Sequence, residues 1–202
     1  MIVNGRETKE TLIGSVLKDP PCPSLSVERC NTLKLLGVHV ANDLKWTQHV
    51  DAISSKVSSR LYFLRQLKRS GAGQEDMLCV YVTVIQPLLE YACLVWHSSV
   101  TAAQTKALKS LQQTAMRIIF QDNDYALSLI RARLDTLESR HEQLTECFFK
   151  RCVLRESSCL QYRLPDKRDS SITDKLRHAK TLPTRTVKFR KSFIPHCLCH
   201  CD

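Results

Sequence analysis

The sequence predicts a mainly α-helical fold: a multi-helix bundle with a small N-terminal β-hairpin element and a disordered, basic C-terminal tail. Three observations predict it. Apolar residues recur at three- and four-residue steps from Trp46 to about residue 155. Before Trp46 the pattern is that of short extended runs broken by Pro, Gly and polar clusters. After Glu156 the periodicity fades and basic residues accumulate. The predicted organisation is a β-containing segment over 1–45, a helical domain over 46–156 and a basic tail over 157–202.

In the first segment, MIV and TLIGSVL flank a polar turn at Asn4 to Glu10, and Asp19-Pro20-Pro21-Cys22-Pro23 interrupts regular structure. Leu33 to Val40 is a strand candidate with Gly37 at its bend. From Thr47 the period becomes helical. Trp46, Val50, Ile53, Val57, Leu61 and Leu64 form one stripe, with Lys56, Arg60, Arg65, Lys68 and Arg69 outside it, and Ser70-Gly71-Ala72-Gly73 stops the helix.

A second helix is expected from Gln74, where Glu75 and Asp76 suit the positive end of the helix dipole, to Trp96, with a kink at Pro87. Its apolar character nearly all round predicts a place at the centre of the core. Thr101-Ala102-Ala103-Gln104 is a capping box opening a third helix. Asp122-Asn123-Asp124 ends it, a short helix follows over Tyr125–Arg133, and a longer one over Asp135–Arg155. One short helix is expected in the tail near Asp174 to Lys180. The predicted core consists of Trp46, Ile53, Val57, Leu61, Tyr81, Ile85, Leu88, Tyr91, Trp96, Leu108, Leu111 and Ile118.

With 202 residues, 43% of them apolar, the chain has material for a core. Lys and Arg exceed Asp and Glu by 30 to 20, a net charge of +10 that favours a polyanionic partner such as nucleic acid. Residues 161–202 alone hold ten Lys or Arg against four Asp, a net of +6. No apolar run is read as approaching the roughly 20 residues of a membrane span, so no membrane partner is expected. Charged residues at Arg6, Glu7, Lys9 and Glu10 stand where a signal peptide is apolar, which predicts an intracellular protein, nuclear or cytoplasmic. Ten scattered cysteines without a CxxC pair are expected to be reduced and structural.

His49-Val50-Asp51 matches the opening of a two-histidine, one-carboxylate iron site. On a helix, however, residues two apart diverge by about 200°, so the pair cannot converge on a metal, and Asp51 is attributed to the helix dipole. His196-Cys197-Leu198-Cys199-His200-Cys201 offers five donors in six residues, too closely spaced to wrap a tetrahedral zinc. Asp122 and Asp124 read as turn residues. No phosphate-binding glycine loop, nucleophile elbow or HExxH occurs. No catalytic set, metal or cofactor is therefore expected. The remaining candidates are the cations Lys56, Arg60, Arg65, Lys68 and Arg69 on the first helix and Arg185, Lys188, Arg190 and Lys191 in the tail, as sequence-independent contacts to a phosphate backbone.

LKLLGVHVANDLKWTQHV, LYFLRQLKR and VYVTVIQPLLEYACLVWHSSVTAAQTKALKSLQQTAMRII resemble the region that follows the palm in reverse transcriptases of non-LTR retrotransposons of the LINE, Jockey and chicken-repeat type. LRHAKTLPTRTVKFRKSFIP is similar to the extreme C-terminus of the same polyproteins, and MIVNGRETKETLI to the stretch after their catalytic aspartates. By this resemblance Asn4, Thr8 and Lys9 match a stretch near the incoming nucleotide, with Glu7 where the family has lysine. Leu36, Gly37 and Val38 match the hairpin that grips the primer end. Trp46, His49, Tyr81, Pro87, Glu90, Tyr91 and Trp96 match the thumb-like helices, and Gln86 replaces a usual arginine. The family's metal-binding Y/F-x-D-D motif does not occur in the sequence, and the resemblance places it upstream. The implied protein is a truncated, non-catalytic fragment that keeps template and primer contacts. The LGV to Leu64 stretch also resembles the N-terminal module of the eighth AlkB homologue, a tRNA-modifying protein with dioxygenase and methyltransferase domains. A second alternative is a helical domain with a purely structural or protein-interaction role.

Overall fold

The computed structural model describes residues 8–13, 27–122, 124–155, 157–164 and 186–200. It is mainly helical, as expected, with two short strand pairs. Strands β1 (Lys9–Glu10) and β2 (Glu28–Arg29) pair in parallel, held also by the Arg29 guanidinium on the Glu10 carboxylate at 3.2 Å. Strands β3 (Thr32–Leu35) and β4 (Val38–Ala41) form an antiparallel hairpin in which Leu33 faces Val40 and Leu35 faces Val38. The Leu33–Val40 run is thus a hairpin that turns at Leu36-Gly37. Both turn residues have positive φ, 47° and 85°, the geometry whose twist suits a two-residue connection. Gly37 carries that conformation without strain, while Leu36 bears it as an L-residue.

Helix α1 (Thr47–Arg69) starts behind Trp46 and buries His49, Val50, Ile53, Val57, Leu61 and Leu64. These are the apolar stripe read from the sequence, with a histidine added. Helix α2 (Gln74–Val80) begins with Glu75 and Asp76 in its first turn, as expected.

The next segment departs from expectation. Tyr81–Ile85 is a wide π turn that leads into α3 (Gln86–Glu90), and the Gln86 N–H reaches back to the Tyr81 carbonyl. Pro87 has no N–H and its ring would collide with the carbonyl of residue 83 in an α-helix; the wider turn gives it room. The direction changes instead at Tyr91-Ala92, where Ala92 is left-handed with φ 52°, before α4 (Cys93–Trp96). Nor is the segment buried all round. Tyr81, Ile85, Leu89, Cys93 and Trp96 face the core, while Val82, Val84, Tyr91 and Val95 are exposed. The stretch Gln74–Ser99 also has a mean hydropathy of 1.7 over an 18-residue window. The expectation that no run has the length and apolar composition of a membrane span therefore fails, although this stretch forms one wall of the core.

Helix α5 (Ala102–Phe120) opens on the expected capping box, with Thr101 and Gln104 satisfying each other's backbone N–H groups. It runs parallel to α1: the Gln104 amide donates to the Thr47 hydroxyl at one end, and the Lys68 ammonium to the Ile118 carbonyl at the other. Asp124 caps α6 (Tyr125–Ala132) and Thr136 caps α7 (Leu137–Phe148), which continues as a π turn over Phe149–Val153. Buried Gln112 ties these helices together. Its carbonyl accepts from the Tyr125 hydroxyl at 2.6 Å and the Leu137 N–H at 2.9 Å, and its amide donates to the Asp135 carbonyl at 3.2 Å.

Of the predicted core, Trp46, Ile53, Val57, Leu61, Tyr81, Ile85, Trp96 and Leu108 are buried, and Leu88, Leu111 and Ile118 pack against them half-buried. Tyr91 is the exception at 52% exposure. It stands at the break between α3 and α4 and reaches outward to the hairpin.

The expectation of a disordered tail is corrected over 186–200. Short helices α8 (Val187–Arg190) and α9 (Phe193–His200) form there. Cys197 and Leu198 are buried against Phe149 and Val153, with Phe148, Leu160, Leu164, Phe193 and Ile194 around them, as a second apolar cluster. FIPHCLCH supplies apolar residues that a basic average over the tail conceals. The helix expected near Asp174 to Lys180 lies outside the described residues, as do Asn4, Glu7 and Arg185.

Candidate nucleic-acid interface

Helix α1 carries the largest number of cations among the described helices. No Asp or Glu occurs from Ala52 to Gln74, whereas five cations do. Successive residues turn by about 100° around a helix, which separates these cations into three positions relative to the buried stripe. Lys56 and Arg60 lie along one flank, and Arg65 and Arg69 along the other, all four exposed. Lys68 falls within about 20° of the stripe's centre. Its ammonium is committed to the Ile118 carbonyl, one of the carbonyls in the last turn of α5. The structure therefore keeps four of the five predicted cations on the surface and turns the fifth into a cap for a neighbouring helix.

Between the two flanks stand Tyr62, on the Arg65 and Arg69 side, and Phe63, on the Lys56 and Arg60 side, 56% and 53% exposed. Their rings meet edge to face at 5.9 Å, and the Arg60 guanidinium lies 5.9 Å from the centre of the Phe63 ring. The sequence reading did not assign these aromatics. Their signal was available in the angular position of residues 62 and 63, both well over 100° from the apolar stripe.

The tail cations lie elsewhere. Lys188 donates to the Asp43 carbonyl, and the Ser98 and Ser99 hydroxyls donate to the Lys191 carbonyl. This places α8 by the N-terminal end of α1, and the rise of 1.5 Å per residue puts Arg65 roughly 25 Å away. Lys188, Arg190 and Lys191 are exposed but do not join the cations of α1 in one patch.

Of the primer-grip-like residues, Leu36 and Gly37 make the hairpin turn, and Val38 begins β4. Leu36 is 84% exposed, Val38 is buried, and Gly37 lies under Tyr91. A Cβ at Gly37 would stand 3.3 Å from the Tyr91 ring. The Tyr91 hydroxyl donates to the Leu36 carbonyl at 2.6 Å, and the Trp96 indole N–H to the Tyr91 carbonyl at 3.0 Å. L-G-V thus meets E-Y, more than fifty residues away in the chain, and the neighbouring V-W supports the same Tyr91. The groove under the hairpin, about 260 Å³, is lined by Gly37, His49, Ile53, Leu88 and Tyr91 and has Lys56 beside it. Gln86 and Glu90 of the P-x-x-E-Y segment are engaged with each other at 2.6 Å, and Arg140 reaches the same Glu90 oxygen at 3.1 Å.

His49 and Asp51 point apart: His49 is buried, Asp51 exposed. Asp51 also lies beyond the first turn of α1, so the dipole does not account for it. The His49 Nδ1 accepts the His39 N–H at 3.4 Å, and the ring lies edge to face with Trp46 and Trp96. Burial holds its pKa below the ordinary value, with His39 and Lys56 adding to the effect. Across Trp96 lies a second buried histidine, His141. Its Nε2 donates to the Leu89 carbonyl at 3.0 Å, which leaves its Nδ1 to accept from His97 at 3.2 Å. Burial lowers the His141 pKa to about 4, helped by His97. The Leu89 carbonyl belongs to the helix end that the Ala92 break leaves open, so His141 caps it. Among the described residues no three His, Cys, Asp or Glu side chains are grouped to hold a metal.

Comparison with protein-family models, with curated proteins and with solved structures finds no match to this chain.

Proposed function

We propose that the chain is a reverse-transcriptase-derived, non-polymerising fragment that binds nucleic acid through the phosphate backbone. The observation that carries this reading is the acid-free run Ala52 to Gln74, which leaves Lys56, Arg60, Arg65 and Arg69 exposed on one long helix. Four such cations in a chain of net charge +10 form an electrostatic footprint suited to a polyanion. The likeness of the LGV, W-x-x-H, P-x-x-E-Y and V-W stretches to the post-palm region of non-LTR retrotransposon polymerases names that polyanion as template and primer. The sequence holds no Y/F-x-D-D to bind catalytic metals, which supports binding without polymerisation.

The test is binding of a primer-template duplex across a salt series. Affinity should fall steeply with salt, and reversal of Lys56, Arg60 and Arg65 to Glu should abolish binding at low salt and flatten the salt dependence of any remainder. Affinity that stays constant from low to high salt, or survives the reversal, rejects the reading. A protein-interaction role, favoured by the exposed Val82, Val84 and Val95, predicts no effect of that reversal on partner capture.

A further inference from the structure

The outer face of α1 has a chemistry that phosphate contacts alone leave unused. Tyr62 and Phe63 are large apolar rings, each more than half exposed, on a helix that already buries a full apolar stripe. The core does not need them. They stand between the two cationic flanks, Phe63 next to the Lys56 and Arg60 side and Tyr62 next to the Arg65 and Arg69 side. No acid interrupts this arrangement along α1 after Asp51.

Exposed aromatics between two cationic rims match one class of ligand in shape and charge. A nucleic-acid strand with unpaired bases presents a π-face from each base and a charge from each phosphate, so bases stack on the rings while phosphates meet the rims. A duplex hides its base faces and offers only the phosphates. An anionic protein surface would answer the cations but give the rings no specific partner.

We propose that Tyr62 and Phe63 form a base-stacking platform for single-stranded nucleic acid, with Lys56, Arg60, Arg65 and Arg69 holding the strand by its phosphates. This rests on the backbone-binding reading above and adds a preference for unpaired strands. Binding of fluorescein-labelled oligothymidylate and of a duplex of equal length, at several salt concentrations, tests it with the full chain. The double variant Y62S/F63S should weaken oligothymidylate binding about 10- to 100-fold, the range expected for lost aromatic stacking, and leave duplex binding nearly unchanged. The slope of log affinity against log salt should stay as in the wild type, because no phosphate contact is removed. Y62W/F63W should restore single-strand affinity, and both variants alter exposed positions, so their melting temperatures should match the wild type. Unchanged oligothymidylate affinity in Y62S/F63S, with charge reversal at Lys56 and Arg65 weakening both ligands, overturns the platform and leaves the backbone reading intact. Failure of the wild type to bind either ligand at low salt overturns both.

Discussion

Single residues decide several local conformations. Gly37 is required twice over, by its φ of 85° and by the Tyr91 ring that any side chain there would meet. His141 illustrates a polar residue held neutral for a structural purpose: it is 2% exposed, donates to the Leu89 carbonyl and accepts from His97. Its folded pKa, about 4, lies below the ordinary 6.5. The unfolded chain therefore binds a proton that the folded chain refuses, and stability present above about pH 6.5 is lost as the pH falls toward 4. The loss from His141 should reach about 3 kcal/mol, with His49, His97 and His196 shifted in the same direction by burial. Thermal melts at pH 7.5 and 4.5 measure it, and His141→Gln should flatten the dependence. A melting temperature equal at the two pH values contradicts a buried, neutral His141.

Among the elements, α1 and α5 set the frame by running parallel, with contacts between their starts and between their ends. Lys68 belongs to this scale, because it serves α5 rather than a ligand. Lys68→Met should cost about 0.5–1 kcal/mol through loss of a charged donor at a helix C-terminus. It should lower the melting temperature yet leave oligonucleotide affinity and its salt slope close to the wild type, unlike Arg65→Ala. A Lys68 variant that loses affinity with unchanged stability would return this residue to the interface. The region between α2 and α4 shows how a sequence feature can have the right cause and the wrong consequence. Pro87 does disturb the helix, but a wide turn before it absorbs the disturbance, and the bend moves on to Ala92.

On the largest scale, the described residues form two apolar clusters: a large one around α1, α5 and the α2–α4 segment, and a small one joining α9 to the end of α7. The second makes the C-terminal helix part of the fold. Leu198, 6% exposed, should cost about 2–3 kcal/mol when replaced by Ala. Urea denaturation followed by circular dichroism would detect this as a lower midpoint, and an unchanged midpoint would mean that α9 does not contribute to the cooperative unit. The charge also has a large-scale arrangement. Among the described residues, the tail cations near Asp43 and the exposed cations of α1 stand at separate places and do not form one continuous stripe.

Local patterns determined much of this protein. The stripe of α1 and the capping box at Thr101 follow from spacing and capping chemistry, which act over a few residues, whereas spacing marked Leu33–Val40 only as one strand bent at Gly37. The exposed status of Lys56, Arg60, Arg65 and Arg69 was legible for the same reason. Other features depend on residues far apart in the chain and only the tertiary structure decided them. Lys68 became a cap because α5 ends beside it, and Tyr91 left the core because Leu36 offers it a carbonyl 55 residues away. Gln112 and His141 are buried with distant backbone groups to satisfy them, and His49 is buried between Trp46 and Trp96 with only its Nδ1 engaged, placements that no periodicity records.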